Sequence, residues 1–281
     1  MSGILFLGTS SDAGKTTVCA AICRILADRG MDPVPFKALN LSLNSYATED
    51  GGEIGIGQAF QAWSCGLEPE TSMNPVLLKP SGGGKIQLVL NGKPDSDMTA
   101  DAPMDRPRAL KVAVEAYRRL ASEHRFVVCE GSGSPVEMNL METDIANVGM
   151  MRGLAVPSVL VADIERGGVF AAIYGTWMLI PDDVRPQLKG FIINRFRGDA
   201  TILSDGIAKV EELTGMKCLG VMPYADLRFP EEDSLSRSEG RLEGTDAKTA
   251  YIDNICELGR IFIDAGLDVD SIIRMMEDSS A

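Results

Sequence analysis

The sequence is poor in histidine and in positive charge. His124 is the single histidine in 281 residues, and 27 Lys and Arg face 40 Asp and Glu, for a net charge of −13. One imidazole, in the turn-like run Ser122–Arg125, disfavours a multi-histidine metal site and Ser-His-Asp or Cys-His catalysis. The acidic excess argues against nonspecific binding to nucleic acid or anionic membrane. An anionic substrate would have to be met by cations gathered locally. No apolar run reaches the length of about 18 residues that a membrane span needs. No basic leader precedes the apolar run Ile4–Leu7, so a cytoplasmic location is expected. The six cysteines (19, 23, 65, 129, 218 and 256) form no C-x-x-C pair. They are expected to be buried structural thiols.

What the chain does contain is alternation. Apolar runs of strand length fall at Ile4–Gly8, Val34–Lys37, Ile86–Leu90, Phe126–Glu130, Ser158–Asp163, Gly190–Asn194 and Cys218–Met222. Most are rich in Val, Ile, Leu and Phe with little polar alternation, which marks parallel strands covered on both faces. Helices are expected between them near 15–29, 53–65, 105–122, 143–152, 168–179 and 201–214. The fold class that follows is α/β, a doubly wound, mainly parallel sheet. Asn91-Gly92 is a turn signal that begins a local excursion. Residues 230–249 are polar and read as a linker or lid. Beyond them Ile252, Ile255, Leu258 and Phe262 make a helical stripe, Gly266 ends it, and Asp270 is expected to cap a last helix. The expected division is 1–235 for a nucleotide domain and 236–281 for a linker and helical tail. The tail is expected to serve as a docking hairpin or a homodimer element.

The stretch Gly8-Thr-Ser-Ser-Asp-Ala-Gly-Lys-Thr-Thr17 lies between an expected strand and an expected helix. Helix N-terminal N–H groups point outward unsatisfied and the helix dipole favours an anion there. Gly8, Thr9, Ser10, Ser11, Ala13, Gly14, Lys15, Thr16 and Thr17 are therefore expected to cradle phosphates. Lys15 supplies charge and the Thr16 hydroxyl reaches Mg²⁺. The loop is unusual: five residues separate Gly8 and Gly14 where the common form has four. Asp12, inside the enlarged loop, is a candidate for Mg²⁺ contact and catalysis.

Other strand ends carry charge or amides. Phe126–Glu130 ends in a carboxylate followed by Gly131, at the sheet edge where α/β folds bind ligands, so Glu130 is a candidate Mg²⁺ ligand. Lys37 ends another strand and is a candidate catalytic cation. Asn194 and Arg195 end a third and are candidates for the nucleotide. Asp50 is a further candidate for Mg²⁺. Met150-Met151 and Met275-Met276 are expected in the core rather than at a cofactor.

Several long motifs sharpen the reading: Phe36–Asn40 with Leu43–Ser45; Asp50–Gly55 with Gln58 and Gln61; Met73–Pro80; Val161–Phe170 with Tyr174–Thr176; Gly190–Asp199; and Pro230–Ser234. With the phosphate loop, they resemble the dethiobiotin synthetase and cobyrinate amidase superfamily, and within it the cobyric acid synthase family, over about residues 3–235. The resemblance implies a phosphate-loop NTPase fold, with ATP and Mg²⁺ as cofactors. It implies an ATP-dependent ligase that converts a corrinoid, cobyrinic acid a,c-diamide, to cobyric acid by way of acyl phosphates. It also places Asn40, Asn44, Gln58, Lys79, Gly131 and Arg166 as candidates for corrinoid binding. Members of that family continue into a glutaminase domain with a Cys nucleophile and a His. No histidine follows His124 here, so ammonia is expected from a separate glutaminase subunit, from solution, or from a domain outside these residues. Other readings on the same loop are a dethiobiotin synthetase-like ligase, a noncatalytic nucleotide module acting through its tail, and a partitioning ATPase. Ser10-Ser11 lacks the extra lysine of that last group.

Overall fold

The computed structural model describes residues 2–82, 85–99, 102–225 and 247–278. In chain order the elements are β1 (Gly3–Gly8), α1 (Lys15–Asp28), β2 (Pro33–Phe36), β3 (Leu39–Leu41), β4 (Ser45–Ala47), β5 (Glu53–Gly55), α2 (Ile56–Ser64), β6 (Val76–Gly82), β7 (Lys85–Leu90), β8 (Lys93–Met98), α3 (Arg106–Glu123), β9 (Phe126–Glu130), α4 (Val148–Leu154), β10 (Ser158–Asp163), α5 (Val169–Leu179), β11 (Leu188–Phe196), α6 (Ser204–Thr214), β12 (Lys217–Pro223), α7 (Ala247–Asp264) and α8 (Val269–Asp278).

Six strands make one parallel sheet in the order β12-β11-β10-β1-β9-β2. Side chains of successive strand residues leave on opposite faces. Leu5 and Leu7 enter one core with Ala113, Tyr117, Met150, Met151 and Ile173. Ile4 and Phe6 enter the other with Val18, Ile22, Phe60, Trp63 and Phe262. Helices α3–α6 thus cover one face, and α1, α2, α7 and α8 the other. Two apolar faces explain why the strands show no polar alternation.

The tail completes the second core. Tyr251, Ile255, Leu258 and Phe262 of α7 and Ile272 and Met276 of α8 are all buried, and the Tyr251 ring stacks on Phe60 at 4.5 Å. The stripe seen in the sequence is therefore covered within the chain. Each such side chain gains about 1.5–3 kcal/mol from burial. Asp268, not Asp270, caps α8, accepting from Ser271 N at 2.9 Å. Most of the expected linker 230–249, with Pro230–Ser234, lies outside the described residues; residues 247–249 already belong to α7.

One strand is placed differently from its expected parallel setting. Lys85–Leu90 forms β7, antiparallel to β6 and β8 in a separate sheet of order β3-β6-β7-β8. The reason is the turn after it. Asn91 and Gly92 both have positive φ, 46° and 74°, and the two-residue loop they form reverses the chain directly into β8. The helix expected from 53 begins instead at Ile56, because 53–55 pair with Ser45–Ala47 as a hairpin. His124 lies at the end of α3, facing Asp32 at 3.0 Å. It precedes β9 and so stands at the sheet edge opposite the phosphate loop.

Candidate active site

The carboxyl ends of β1, β2, β9, β10 and β11 meet at one edge, with β9 and β2 on one side of β1 and β10 to β12 on the other. The loop after β1 turns into α1 at Gly14, whose φ is 87°. A Cβ there would lie 2.1 Å from Asn194 Nδ2, so only glycine lets β11 approach. Asn194 uses that approach to donate to Ala13 O at 3.1 Å. Thr9 N is tied to Val161 O at 3.0 Å. The loop is thus braced by β10 and β11.

Lys15 curls over the loop and donates to Ser10 O at 3.2 Å and Gly133 O at 3.0 Å. Burial lowers its pKa, opposed chiefly by the Glu130 charge. Glu130 is the hub. Its Oε1 accepts from Thr16 Oγ1 at 2.8 Å and from Lys37 Nζ at 3.0 Å. Its Oε2 accepts from Gln61 Nε2 at 2.6 Å. Burial alone would push this carboxyl up; Lys37, the Thr16 hydroxyl and Lys15 outweigh it and hold the group below its usual range. Lys37 is fixed through its backbone: Lys37 N donates to Met73 O at 2.9 Å, and Asn74 Nδ2 donates to Lys37 O at 3.0 Å.

Arg195 makes a second cluster at the same edge. It donates to Asp12 O at 2.9 Å, Asp12 Oδ1 at 3.2 Å and Asp163 Oδ2 at 2.9 Å. Arg195 and Asp12 both sit at positive φ, 62° and 58°. The Asp12 carboxylate, on its left-handed backbone, is bonded to Arg195, whereas Thr16 is bonded to Glu130. Asp50 is not brought to this edge. It sits in the β4–β5 hairpin turn and spends its carboxylate on Thr71, at 2.7 Å from Oγ1.

The expected corrinoid contacts divide. Arg166 is exposed in the loop between β10 and α5, and Asn44 is exposed beside β4. Lys79 bridges the side sheet to the hairpin, 2.6 Å from Glu53. Asn40 is buried against the start of α2, where a Cβ on Gly55 would lie 2.2 Å from its Nδ2. Gly131 makes room for Asn147 Oδ1, 2.2 Å from where a Cβ would stand. Gln58 is buried and bonded to Gln61 at 3.3 Å. Ser11 and Thr17 stay with the loop, Ser11 exposed and Thr17 half-buried in the first turn of α1.

Sequence reasoning missed Asn147 and undervalued Gln61. Asn147 accepts from Ser132 N at 3.0 Å and donates to Ser132 O at 2.7 Å, holding the strap after β9. Behind that strap lies a cavity of about 290 Å³. Its walls include Leu39, Leu78, Met98 and Met104 on one side and Ser132, Ser134 and Asn147 on the other.

No group of three or more His, Cys, Asp or Glu able to hold a metal occurs among the described residues. The oxygen pair Thr16–Glu130 nevertheless fits Mg²⁺, which takes one or two protein oxygens and completes its shell with phosphates and water.

Sheet, loop and hub together define a phosphate-loop nucleotide-binding protein. More narrowly, residues 4–235 match the CobQ/CobB/MinD/ParA nucleotide binding domain family, and the chain belongs to it. Among curated relatives, a "Probable cobyric acid synthase" of Methanoculleus marisnigri is 50% identical over 252 residues, 89% of this chain and 51% of its own. One of Archaeoglobus fulgidus is 49% identical over 247 residues, 87% and 53%. The chain thus spans about half the length of the curated relatives it matches. Among solved structures, the MinC:MinD cell division protein complex of Aquifex aeolicus superposes with a TM-score of 0.50 at 12% identity, over 99% of this chain and 96% of that one. That likeness concerns the fold alone. No helix among the described residues is long and apolar enough to cross a membrane.

Proposed function

We propose that the chain is the ATP-using half of a corrinoid amide ligase. In this reading ATP phosphorylates a propionate carboxylate of cobyrinic acid a,c-diamide, and ammonia displaces phosphate from the acyl phosphate on the way to cobyric acid. The observation that carries it is the pairing of Lys15 and Lys37 around one buried carboxylate, with the sole histidine at the opposite sheet edge. Such a cluster suits transfer of a phosphoryl group to an anion, which needs charge neutralised and reactants aligned rather than a histidine base. The printed name of the 50%-identical relatives, "Probable cobyric acid synthase", supports a corrinoid as the substrate class.

Residue by residue, the loop N–H groups and Lys15 bind the phosphates, and Lys15 exchanges its bonds to Ser10 O and Gly133 O for phosphate oxygens. Thr16 and Glu130 would hold Mg²⁺, which neutralises phosphate charge when bound. Lys37 steadies the carboxylate being activated. Arg195 and Asp163 fasten the outer turn of the loop. The cavity behind Ser132 and Ser134 is at the small end of ligand pockets, so it takes a propionate arm while the macrocycle stays outside. The exposed apolar side chains Leu41, Met138 and Leu140 offer a surface there. Ammonia comes from a separate glutaminase, from solution, or from a domain outside these residues.

The test is incubation with ATP, Mg²⁺, ammonium and cobyrinic acid a,c-diamide, followed by mass spectrometry. Each turnover replaces one OH by one NH₂. ADP release without any amidation, with a glutaminase added as well, refutes the ligase reading.

A further inference from the structure

Two buried glutamines interrupt the apolar packing of α2. Gln58 is 1% exposed and Gln61 is fully buried. Gln61 Nε2 donates to Glu130 Oε2 at 2.6 Å and to Thr16 O at 3.3 Å. Both partners are acceptors, an ionised carboxylate and a carbonyl, so the Gln61 amide has one orientation: nitrogen toward Glu130, oxygen away. That oxygen receives Gln58 Nε2 at 3.3 Å, which fixes the second amide as well. Gln58 Oε1 is left buried with no hydrogen-bond partner among the described residues. An apolar side chain at 58 would avoid this unpaired acceptor. What the glutamine contributes instead is the donor that keeps Gln61 from turning.

We propose that Gln61 is a positioning residue for Glu130, locked in turn by Gln58. The Gln61 amide takes up Glu130 Oε2 and leaves Oε1, beside the Thr16 hydroxyl, as the oxygen that would receive the divalent cation. Lys37 also holds that oxygen, at 3.0 Å; a bound cation there would repel the like-charged ammonium and favour its turning toward the anionic substrate. Without Gln61 the carboxylate is free to rotate and to offer either oxygen to Lys37. Outer-shell partners of this kind commonly change metal affinity by about 10–100-fold. The proposal rests on the metal–nucleotide part of the proposed function and not on amidation.

The experiment uses the full chain with ADP and Mn²⁺, reading free Mn²⁺ by electron paramagnetic resonance. Metal-free ADP affinity is measured by calorimetry, and the melting temperature by circular dichroism. Gln61→Met should weaken Mn²⁺ binding to the ADP complex about tenfold while metal-free ADP affinity holds within about twofold. Gln58→Met does not touch Glu130 and exchanges one unpaired amide carbonyl for another. It should melt with the parent yet weaken Mn²⁺ about threefold, an effect that a purely structural role would not produce. If Gln61→Met does not fold, Gln58→Met decides alone. Parent-like Mn²⁺ binding in the folded variants overturns the relay. Absence of Mn²⁺ binding by the parent overturns the nucleotide reading and the relay with it.

Discussion

Lys37→Met removes an ammonium from a pair whose side chains are only 7% and 1% exposed, 3.0 Å apart. Glu130 would remain buried with Thr16, Gln61 and Lys15 as its remaining favourable partners. Breaking a buried ion pair from one side costs about 3–5 kcal/mol. The surviving donors put this case near the lower bound, about 3 kcal/mol, or a fall in melting temperature of about 6–12 °C. The deficit also depends on pH. With Lys37 gone, burial of Glu130 loses its largest opposing charge, so the carboxyl moves up from its lowered position and the folded variant takes up a proton more readily as pH falls. The loss should therefore be larger at pH 8 than at pH 5. The double variant Lys37→Met/Glu130→Gln removes the charge as well and should recover most of the loss. Thermal unfolding followed by circular dichroism measures all three. Lys37→Met melting with the parent at pH 8 would refute the claim that this pair is buried and mutually dependent.

The remaining predictions concern the loop and the tail. Lys15→Ala should abolish turnover with the circular dichroism spectrum unchanged; retained turnover would refute the phosphate assignment. Gly14→Ala places a methyl 2.1 Å from Asn194 Nδ2 at a φ of 87°. It should weaken ADP binding by about tenfold or more, since a displaced Asn194 no longer holds Ala13, and calorimetry would show it. Asp268, which bonds Lys217 and caps α8, has its pKa lowered to about 2 by Lys217, ahead of the Ser271 bonds. Its contribution, about 1 kcal/mol after solvent screening, is present above the ordinary carboxylate range. It should disappear as pH falls from about 4 to 2, and Asp268→Asn should flatten the acid limb of the stability curve.

The parallel core was legible because burial on both faces leaves an unambiguous mark: Ile4–Leu7 and Phe126–Cys129 have no polar residue to hide. The side sheet was not, because Ile86–Leu90 reads the same whether it joins the parallel sheet or a hairpin. Only the positive φ at Asn91 and Gly92 decides. Glu130, Lys37 and Thr16 were legible as strand and helix ends that must converge at one edge. The setting of Asp50 was not legible, because a carboxylate near a glycine pair looks the same in a ligand loop and in a hairpin turn. Gln61 could have been weighted from its setting: a glutamine three residues after another, flanked by Ala, Phe, Ala and Trp, has no solvent face to explain it.

The place of Asp12 inside the enlarged loop can be tested directly. Asp12 adopts φ 58° and bonds Arg195 through an exposed carboxylate. Glycine accepts that conformation freely, which recovers about 1 kcal/mol of left-handed strain. Losing a solvent-exposed ion pair costs about 0–1 kcal/mol. The two nearly cancel, so Asp12→Gly should leave stability and Mn²⁺–ADP affinity close to the parent. Asp12→Val, β-branched at the same φ, should destabilise the loop and weaken nucleotide binding. A metal ligand would behave oppositely: glycine would then weaken Mn²⁺ as severely as valine. Calorimetry on the two variants separates these cases. A tenfold or greater loss of Mn²⁺ affinity in Asp12→Gly, at unchanged metal-free ADP affinity, would return Asp12 to the metal and refute the outward, Arg195-bound role.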